Sequence, residues 1–326
     1  MARQTMQVVR VYRYGDPEQL RCEQILRPAP QAGEVLIRVH AAGVLPADWK
    51  MRQGFFKKFY PLSFPYIPGS AIAGVVEAVG PGVTRFQKGQ AVFGRSTHGA
   101  YTEYTITAVE PPALMPKTFS LLTLKPESLS FAEAAAISGG ATTAWSALFG
   151  DGVLSAGQRV LIHGAAGGVG LFAVQFARWK GAQVIGTAST ANVDFVRSLG
   201  AETVIDYTTT PFEEVVSEVD LVLDTIGGET LQRSMAVVKR GGTLVSLLER
   251  PSVQLAQVFG IRAIKNTVMP TNEDLEMIAR LIDEGQVKAV VGQTFPLRQV
   301  RQAHELSQTG HGRGRIVLQI PDKAVV

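Results

Sequence analysis

Apolar and polar residues repeat along this chain in two ways, and the change of period divides it. Up to about residue 124, short apolar runs such as Glu34 to Val39, Ala71 to Val79 and Tyr101 to Thr107 stand between Pro and Gly clusters such as Pro28-Ala29-Pro30 and Gly80-Pro81-Gly82. Strand-length runs with that punctuation predict an antiparallel, partly barrel-like β domain. Phe64-Pro65-Tyr66-Ile67-Pro68-Gly69 is too rich in proline for a helix or central strand and is predicted as a loop. From Ser130 the period turns helical. Ser130 and Glu133 have the spacing of a capping box, so a new domain is expected to begin nearby. Strands Arg159 to His163, Gln183 to Ala188, Thr203 to Asp206, Leu221 to Asp224 and Gly242 to Leu247 then alternate with helical segments, the pattern of a doubly wound parallel sheet. After Val268-Met269-Pro270 comes an amphipathic helix, Asn272 to Glu284, closed by Gly285. A strand, a helix from Arg298 to Ser307 and a last strand, Arg315 to Ile320, follow. Periodicity leaves open whether these closing elements extend the parallel sheet or return to the first domain.

A chain of 326 residues exceeds the usual size of one core, so two domains sharing a cleft are expected. With 32 Lys plus Arg against 28 Asp plus Glu the formal charge is +4, a mild bias toward anionic small molecules. Basic residues interleaved with aromatics occur in one spot, Phe55-Phe56-Lys57-Lys58-Phe59-Tyr60, which argues against a nucleic-acid partner. The single cysteine, Cys22, excludes an intrachain disulfide and a thiolate-rich zinc site. His40 and His163 fall on strands and are expected to pack; His98, His304 and His311 have no neighbour at metal-ligand spacing. Nothing has the layout of a Ser/His/Asp hydrolase. The N-terminus lacks a signal-like apolar core, and no segment approaches the roughly 20 apolar residues of a membrane span, so a cytoplasmic protein without a membrane partner is expected.

Chemistry concentrates where strand Arg159 to His163 runs into Gly164-Ala165-Ala166-Gly167-Gly168-Val169-Gly170 and a helix follows at once. Glycines there allow a sharp turn and bring a pyrophosphate to the helix N-terminus, where free amides and the dipole favour negative charge. The first glycine of the GxGxxG fingerprint is replaced by Ala165. A tight turn alone would also use glycines; the surrounding βαβ units make it a dinucleotide site. The second strand, Val184-Ile185-Gly186-Thr187-Ala188, is followed by Ser189-Thr190 and not by the carboxylate that binds the ribose hydroxyls of NAD, so NADPH is expected. Capping of the next helix is the other use for those hydroxyls.

Ala165 to Gly170 resembles the AAGGVG loop of the zinc-independent quinone oxidoreductase branch of the medium-chain dehydrogenase/reductase superfamily. Leu45-Pro46-Ala47-Asp48-Trp49-Lys50-Met51-Arg52-Gln53-Gly54 resembles that family's NPxDxxxRxG segment, with Leu45 for Asn. Pro65 to Val76 resembles its PxxPGxDxAGxV stretch with Ala71 for Asp, and Val222 to Gly228 and Gly312 to Leu318 extend the likeness over nearly the whole chain. The resemblance implies a GroES-like catalytic domain over 1–124, a Rossmann NADPH-binding domain over 125–264, and return of 265–326 to the catalytic domain. It implies cofactor contacts at Thr143, the loop Gly164, Ala165, Ala166, Gly167, Gly168, Val169 and Gly170, and at Thr187, Ser189, Asn192, Tyr207, Asp224, Leu247 and Arg315. The lysine usual after the Ser189 position is missing. The catalytic cysteine and the GHE motif of the zinc-dependent branch fall on Val44-Leu45 and Pro68-Gly69-Ser70, so no metal is expected. A homodimer joined through the nucleotide domains is implied.

Without a Lewis acid an alkoxide is hard to stabilise, whereas hydride addition to a quinone or α,β-unsaturated carbonyl collects charge on an oxygen that one hydrogen-bond donor can hold. Lys50 is the expected donor, with Asp48 fixing its loop or meeting the nicotinamide end. Trp49, Arg52, Phe59 and Tyr60, with Phe55 and Phe56, are expected to wall the substrate pocket. Each has a plainer alternative as solvated or core residue. Two other functions stay open: an enoyl-thioester reductase and an NADPH-binding protein without turnover.

Overall fold

The computed structural model describes residues 4–110, 122–310 and 312–321; His311 lies outside them. In chain order the strands and helices are β1 (Thr5–Arg10), β2 (Arg21–Leu26), β3 (Glu34–Val44), α1 (Pro46–Gln53), β4 (Ala71–Val79), β5 (Ala91–Arg95), β6 (Tyr104–Ala108), β7 (Leu122–Leu124), α2 (Phe131–Ile137) and α3 (Gly140–Trp145). Then come β8 (Arg159–Ile162), α4 (Gly170–Trp179), β9 (Gln183–Ala188), α5 (Val193–Ser198), β10 (Thr203–Asp206), β11 (Val219–Asp224), α6 (Gly228–Ser234), β12 (Val238–Ser246), α7 (Val253–Phe259) and β13 (Arg262–Lys265). The chain closes with α8 (Asn272–Asp283), β14 (Val291–Pro296), α9 (Val300–Gln308) and β15 (Arg315–Gln319). It divides into two compact units. One, with the mixed sheet, runs to Gly139 and regains Thr271–Asp283 and everything from Ala289; the other, with the parallel sheet, holds Gly140–Pro270 and Glu284–Lys288.

The mixed-sheet unit is built on the order β14-β15-β3-β4-β5-β7, with β6 also paired to β3 and β1-β2 forming a separate antiparallel pair. Its centre is β3, whose Val35, Ile37, Val39, Ala42 and Val44 are buried with Ile72, Val92, Tyr101 and Leu318. The closing strands return here: β15 lies antiparallel to β3, with Ile316 opposite Val44. The capping box at Ser130 forms, Ser130 Oγ accepting from Glu133 N–H and Glu133 Oε2 accepting from Ser130 N–H. It starts a helix but not a unit. The apolar face of α2, Ala134 to Ile137, is buried, and a Cβ on Gly43 of β3 would come within 2.6 Å of Ala135 O. That close packing keeps α2 in the mixed-sheet unit, which runs to Gly139 where 124 was expected; the second break falls at Pro270/Thr271 where 264/265 was expected. On α8, Leu275, Ile278, Leu281 and Ile282 bury one stripe, as its periodicity requires.

The parallel-sheet unit has the order β10-β9-β8-β11-β12-β13, every pairing parallel. Numbered from its first strand this is 3-2-1-4-5-6, the doubly wound order, and the strand order reverses between β8 and β11. Ligands of such sheets bind outside the carboxyl ends of the strands at that reversal. His163 follows β8 there, its N–H donating to Leu223 O at 3.0 Å.

Candidate functional site

The loop from β8 to α4 sits at the reversal. Gly164 takes a left-handed φ of +67°, which a side chain resists, and Gly167 N–H donates back to Gly164 O at 2.9 Å. A Cβ on Gly170 would lie 2.2 Å from Gly164 O and 2.7 Å from Ala165 Cα, so the first turn of α4 presses on the loop backbone. Ala165 is buried and its N–H donates to Thr187 O at 3.0 Å; a Cβ on Gly186 would meet its methyl at 3.0 Å. Alanine therefore fits where the fingerprint has glycine because β9 supplies the missing space. No side chain caps α4. Leu171 and Phe172 N–H turn back to Gly167 O and Val169 O at 3.0 and 3.1 Å, so what the loop presents at this end is the positive end of the helix dipole, which suits a pyrophosphate.

Beneath the loop His163 is buried, its ring 4.6 Å from that of Phe212. Ser234 Oγ donates to Thr230 O, so it accepts from His163 Nε2–H at 2.9 Å. Thr187 Oγ1 accepts from Gly164 N–H at 3.3 Å and donates to His163 Nδ1 at 3.1 Å. The neutral Nε2–H tautomer satisfies the whole network. Desolvation, reinforced by Arg233, pushes the imidazole pKa down to about 3. The Thr187 side chain thus serves the loop from inside.

At the end of β9, Asn192 Nδ2 donates to Ser189 Oγ at 3.1 Å, and exposed Tyr207 is tied alongside by its N–H to Ala188 O at 3.1 Å. These three expected residues come together. The sequence reading missed a fourth neighbour. Asp206 stands opposite Ala188 in the register of β10 and β9. Its Oδ1 accepts from Thr208 N–H and Oγ1–H at 3.0 and 2.6 Å, and hydrogen bonds from Thr190 and Thr208 hold its pKa below the usual carboxylate range. The signal was visible in Ile205-Asp206-Tyr207, but the register that brings it beside Ala188 was not. Thr143 is half-buried on α3.

Asp224, expected at the cofactor, turns inward. Its carboxylate accepts from Ile226 N–H at 3.0 Å, from Gly227 N–H and from Ser246 Oγ–H at 2.9 Å, so it shapes the β11–α6 turn. Leu247 is half-buried and donates its N–H to Asp224 O at 3.0 Å. Arg315, also expected there, belongs to the mixed-sheet unit and is buried in it. Desolvation lowers its pKa to about 10 against the attraction of Asp48 and Tyr101.

In the mixed-sheet unit α1 carries the remaining candidates. Asp48, expected as a catalytic group, is buried: its Oδ2 accepts from Leu45 N–H and Tyr101 Oη–H, both at 2.8 Å. Desolvation pushes its pKa up to about 6, opposed by those hydrogen bonds and by Arg95 and Arg315. Asp48 thus fixes the start of α1. Arg52, expected at the substrate, is fully buried because its side chain turns to α9, Nη2 donating to Gln308 Oε1 at 2.6 Å. Tyr101 Oη and His304 Nε2 lie 3.3 Å apart, and desolvation with Arg52 nearby lowers the His304 pKa to about 3. Lys50 stays partly exposed with Nζ 5.5 Å from the Trp49 ring centroid, and Trp49 meets Phe55 edge-on at 5.8 Å. Phe55, Phe59 and Tyr60 are exposed.

Residues 31–117 match the alcohol dehydrogenase GroES-like domain, and residues 199–318 match the family described as zinc-binding dehydrogenase. A quinone oxidoreductase of Rattus norvegicus is 33% identical over 318 residues, covering 92% of this chain and 93% of its own. The solved quinone oxidoreductase of Coxiella burnetii superposes with a TM-score of 0.87 at 31% identity, over 98% of this chain and all of that one. The CurK enoyl reductase superposes at 0.86 with 27% identity, over 98% of this chain and all of that one. With a doubly wound nucleotide cradle, a GroES-like unit and relatives matching over nearly its full length, the chain belongs to the quinone oxidoreductase-like family of NAD(P)H-dependent medium-chain dehydrogenases/reductases.

Proposed function

We propose that this protein is a zinc-independent, NADPH-dependent reductase of quinones or α,β-unsaturated carbonyls. The observation that carries the reading is the start of α4, capped by no side chain, beneath the Gly164–Gly170 loop, beside a β9 end where Ser189 and Asn192 stand and the one neighbouring carboxylate, Asp206, comes from β10. Thr143, the loop amides, Ser189, Asn192 and Tyr207 would hold the dinucleotide. Bound there, reduced nicotinamide supplies a hydride.

The chain's own part is to hold charge and place a proton. Lys50 would hydrogen-bond the acceptor oxygen as negative charge gathers on it, and an ammonium there can also pass on a proton. Asp48 and Tyr101 fix the first turn of the helix that presents Lys50. Trp49, Phe59 and Tyr60 offer apolar surface to a flat, conjugated acceptor. Zinc independence rests on residue chemistry. The one cysteine, Cys22, stands on β2, away from the Val44-Leu45 segment in sequence, and Pro68-Gly69-Ser70 offers poor ligands. Ionised Asp206 beside Ser189-Thr190 opposes a 2′-phosphate, so the preference for NADPH over NADH is expected to be modest.

We place the protein in the cytoplasm as a homodimer. Among the described residues edge strand β13 pairs only with β12, and Val253, Val258 and Met269 nearby in sequence are exposed. Such an edge invites pairing with a second copy. Among the described residues no helix is long and apolar enough to cross a membrane. Likeness to an enoyl reductase keeps thioester reduction as the second reading. The test is oxidation of NADPH and NADH by chelator-treated protein against a quinone, an alkyl enone, an enal and crotonyl-CoA. Turnover of the first three supports the proposal. Turnover confined to crotonyl-CoA replaces it with the second reading, and cofactor binding with no turnover leaves a binding protein.

A further inference from the structure

The segment after α1 is a built projection. Gly54, at φ +83°, ends the helix, and the chain folds into a tight knuckle in which Lys57 N–H donates to Gly54 O while Phe59 and Tyr60 N–H both donate to Phe56 O. Its base is fastened by Tyr14, whose hydroxyl accepts from Leu62 N–H at 2.9 Å and whose ring meets Phe64 edge-on at 4.9 Å. The tip holds aromatic surface out in water: Phe55 is 64% exposed, Phe59 80% and Tyr60 63%. Lys57 and Lys58, between them, are exposed as well. An apolar cluster of this kind, held out by its own hydrogen bonds, marks an interaction surface.

Charge selects the partner. From Trp49 to Val76 there is no acidic residue, whereas Lys57 and Lys58 are exposed and Lys50 partly so; Asp16, which accepts from Gln53 at 3.4 Å, lies at the base and not in the knuckle. Aromatic rings flanked by lysines, on a tip a few residues wide, match the boundary between acyl chains and anionic headgroups. A base-stacking surface for nucleic acid would need a longer cationic track, which the sequence lacks. We propose that the 54–62 knuckle docks the protein reversibly on an anionic lipid bilayer. This contact is peripheral and revises the expectation of no membrane partner, which considered only spanning segments. It goes beyond the reductase reading and needs no turnover; were both right, lipid-dissolved acceptors would be delivered at the docking loop.

The test is co-sedimentation of the full chain with phosphatidylcholine vesicles, with and without about one-third phosphatidylglycerol, at low and raised salt. Binding is expected only to the anionic vesicles and should fall as salt rises. Two variants follow, Lys57→Gln/Lys58→Gln and Phe59→Ser. At about 1 kcal/mol per lysine near the surface, the double variant should partition about 30-fold more weakly, and Phe59→Ser about tenfold more weakly. The double variant should keep wild-type turnover of a water-soluble acceptor. The proposal is overturned if the wild type does not bind anionic vesicles, if either variant binds as well as wild type, or if the double variant loses turnover but keeps vesicle binding. Failure of the reductase reading would show as no turnover in the wild type, leaving the vesicle result intact.

Discussion

Three buried titratable groups set an acid response that can be worked out. His163 and His304 are held neutral, their pKa values lowered to about 3 from the usual 6.5, so the unfolded chain binds protons that the folded chain refuses. That stability is fully present above pH 6.5 and is lost as pH falls toward the folded values. Asp48, raised to about 6 from 3.8, acts oppositely: its folded form takes a proton first, so its contribution falls as pH rises through about 6. Between pH 6 and 5 the two histidines of the unfolded state hold roughly 1.5 to 1.9 extra protons, and folded Asp48 holds roughly 0.5 to 0.9. The net is about one proton, and stability should fall by roughly 1 kcal/mol per pH unit of acidification. Urea unfolding followed by tryptophan fluorescence at pH 7, 6 and 5 measures it. His163→Gln should bring the slope close to zero, and Asp48→Asn should steepen it to roughly 2 kcal/mol per unit. If the two units unfold separately, the slope should sit in the parallel-sheet transition, because His304 and Asp48 nearly cancel in the other. A flat wild-type profile, or a slope unchanged in His163→Gln, would refute the reasoning.

At the cradle, Gly170→Ala forces a methyl to 2.2 Å from Gly164 O; NADPH affinity, read by fluorescence titration, should weaken at least about tenfold while far-UV circular dichroism shows the sheet retained. Asp206→Asn removes the carboxylate beside the β9 end and should lower KM for NADPH severalfold while leaving KM for NADH nearly unchanged, as steady-state kinetics with both cofactors would show. Lys50→Ala should reduce kcat on an enone by about a hundredfold with little change in NADPH affinity, and Lys50→Arg should recover part of it; equal kcat in Lys50→Ala would remove the lysine from the reaction.

The alternation of short strands and helices after residue 158 was legible because most βα steps leave a local record of an apolar strand, a short turn and a helix, although between β10 and β11 only a single turn, Phe212–Glu214, forms. The cradle was legible for the same reason, since Gly164 to Gly170 are contiguous and their spacing encodes their contacts. Long-range register left no such record. Asp206 becomes a neighbour of the β9 end through parallel pairing, Tyr101 reaches Asp48 across 53 residues, and His304 reaches Tyr101 across 203. Asp48, Arg52, Asp224 and Arg315 show the converse. Their types suit ligand binding, but burial turns each into the interior, and a sequence does not say which way a charged residue faces. The same limit applied to Ser130-Glu133, where the helix start was readable but the unit to which the helix packs was not.

Buried polar groups play one part in both units. In the parallel-sheet unit His163 orders Thr187, which in turn holds Gly164 N–H and hence the entry to the cradle. In the mixed-sheet unit Asp48 ties Leu45 N–H to Tyr101 Oη–H and so sets the first turn of the helix that exposes Lys50. Each buried group costs desolvation free energy, visible in its displaced pKa. Each offsets that cost with hydrogen bonds to the backbone or side chains it orders. Groups at the surface of such a site can then vary with the acceptor, while the interior partners that aim them cannot change singly without leaving a buried donor or acceptor unpaired. Substitutions that alter specificity should therefore be tolerated at Lys50, Ser189 and Phe59, and loss of stability should accompany those at Asp48, His163 and Tyr101.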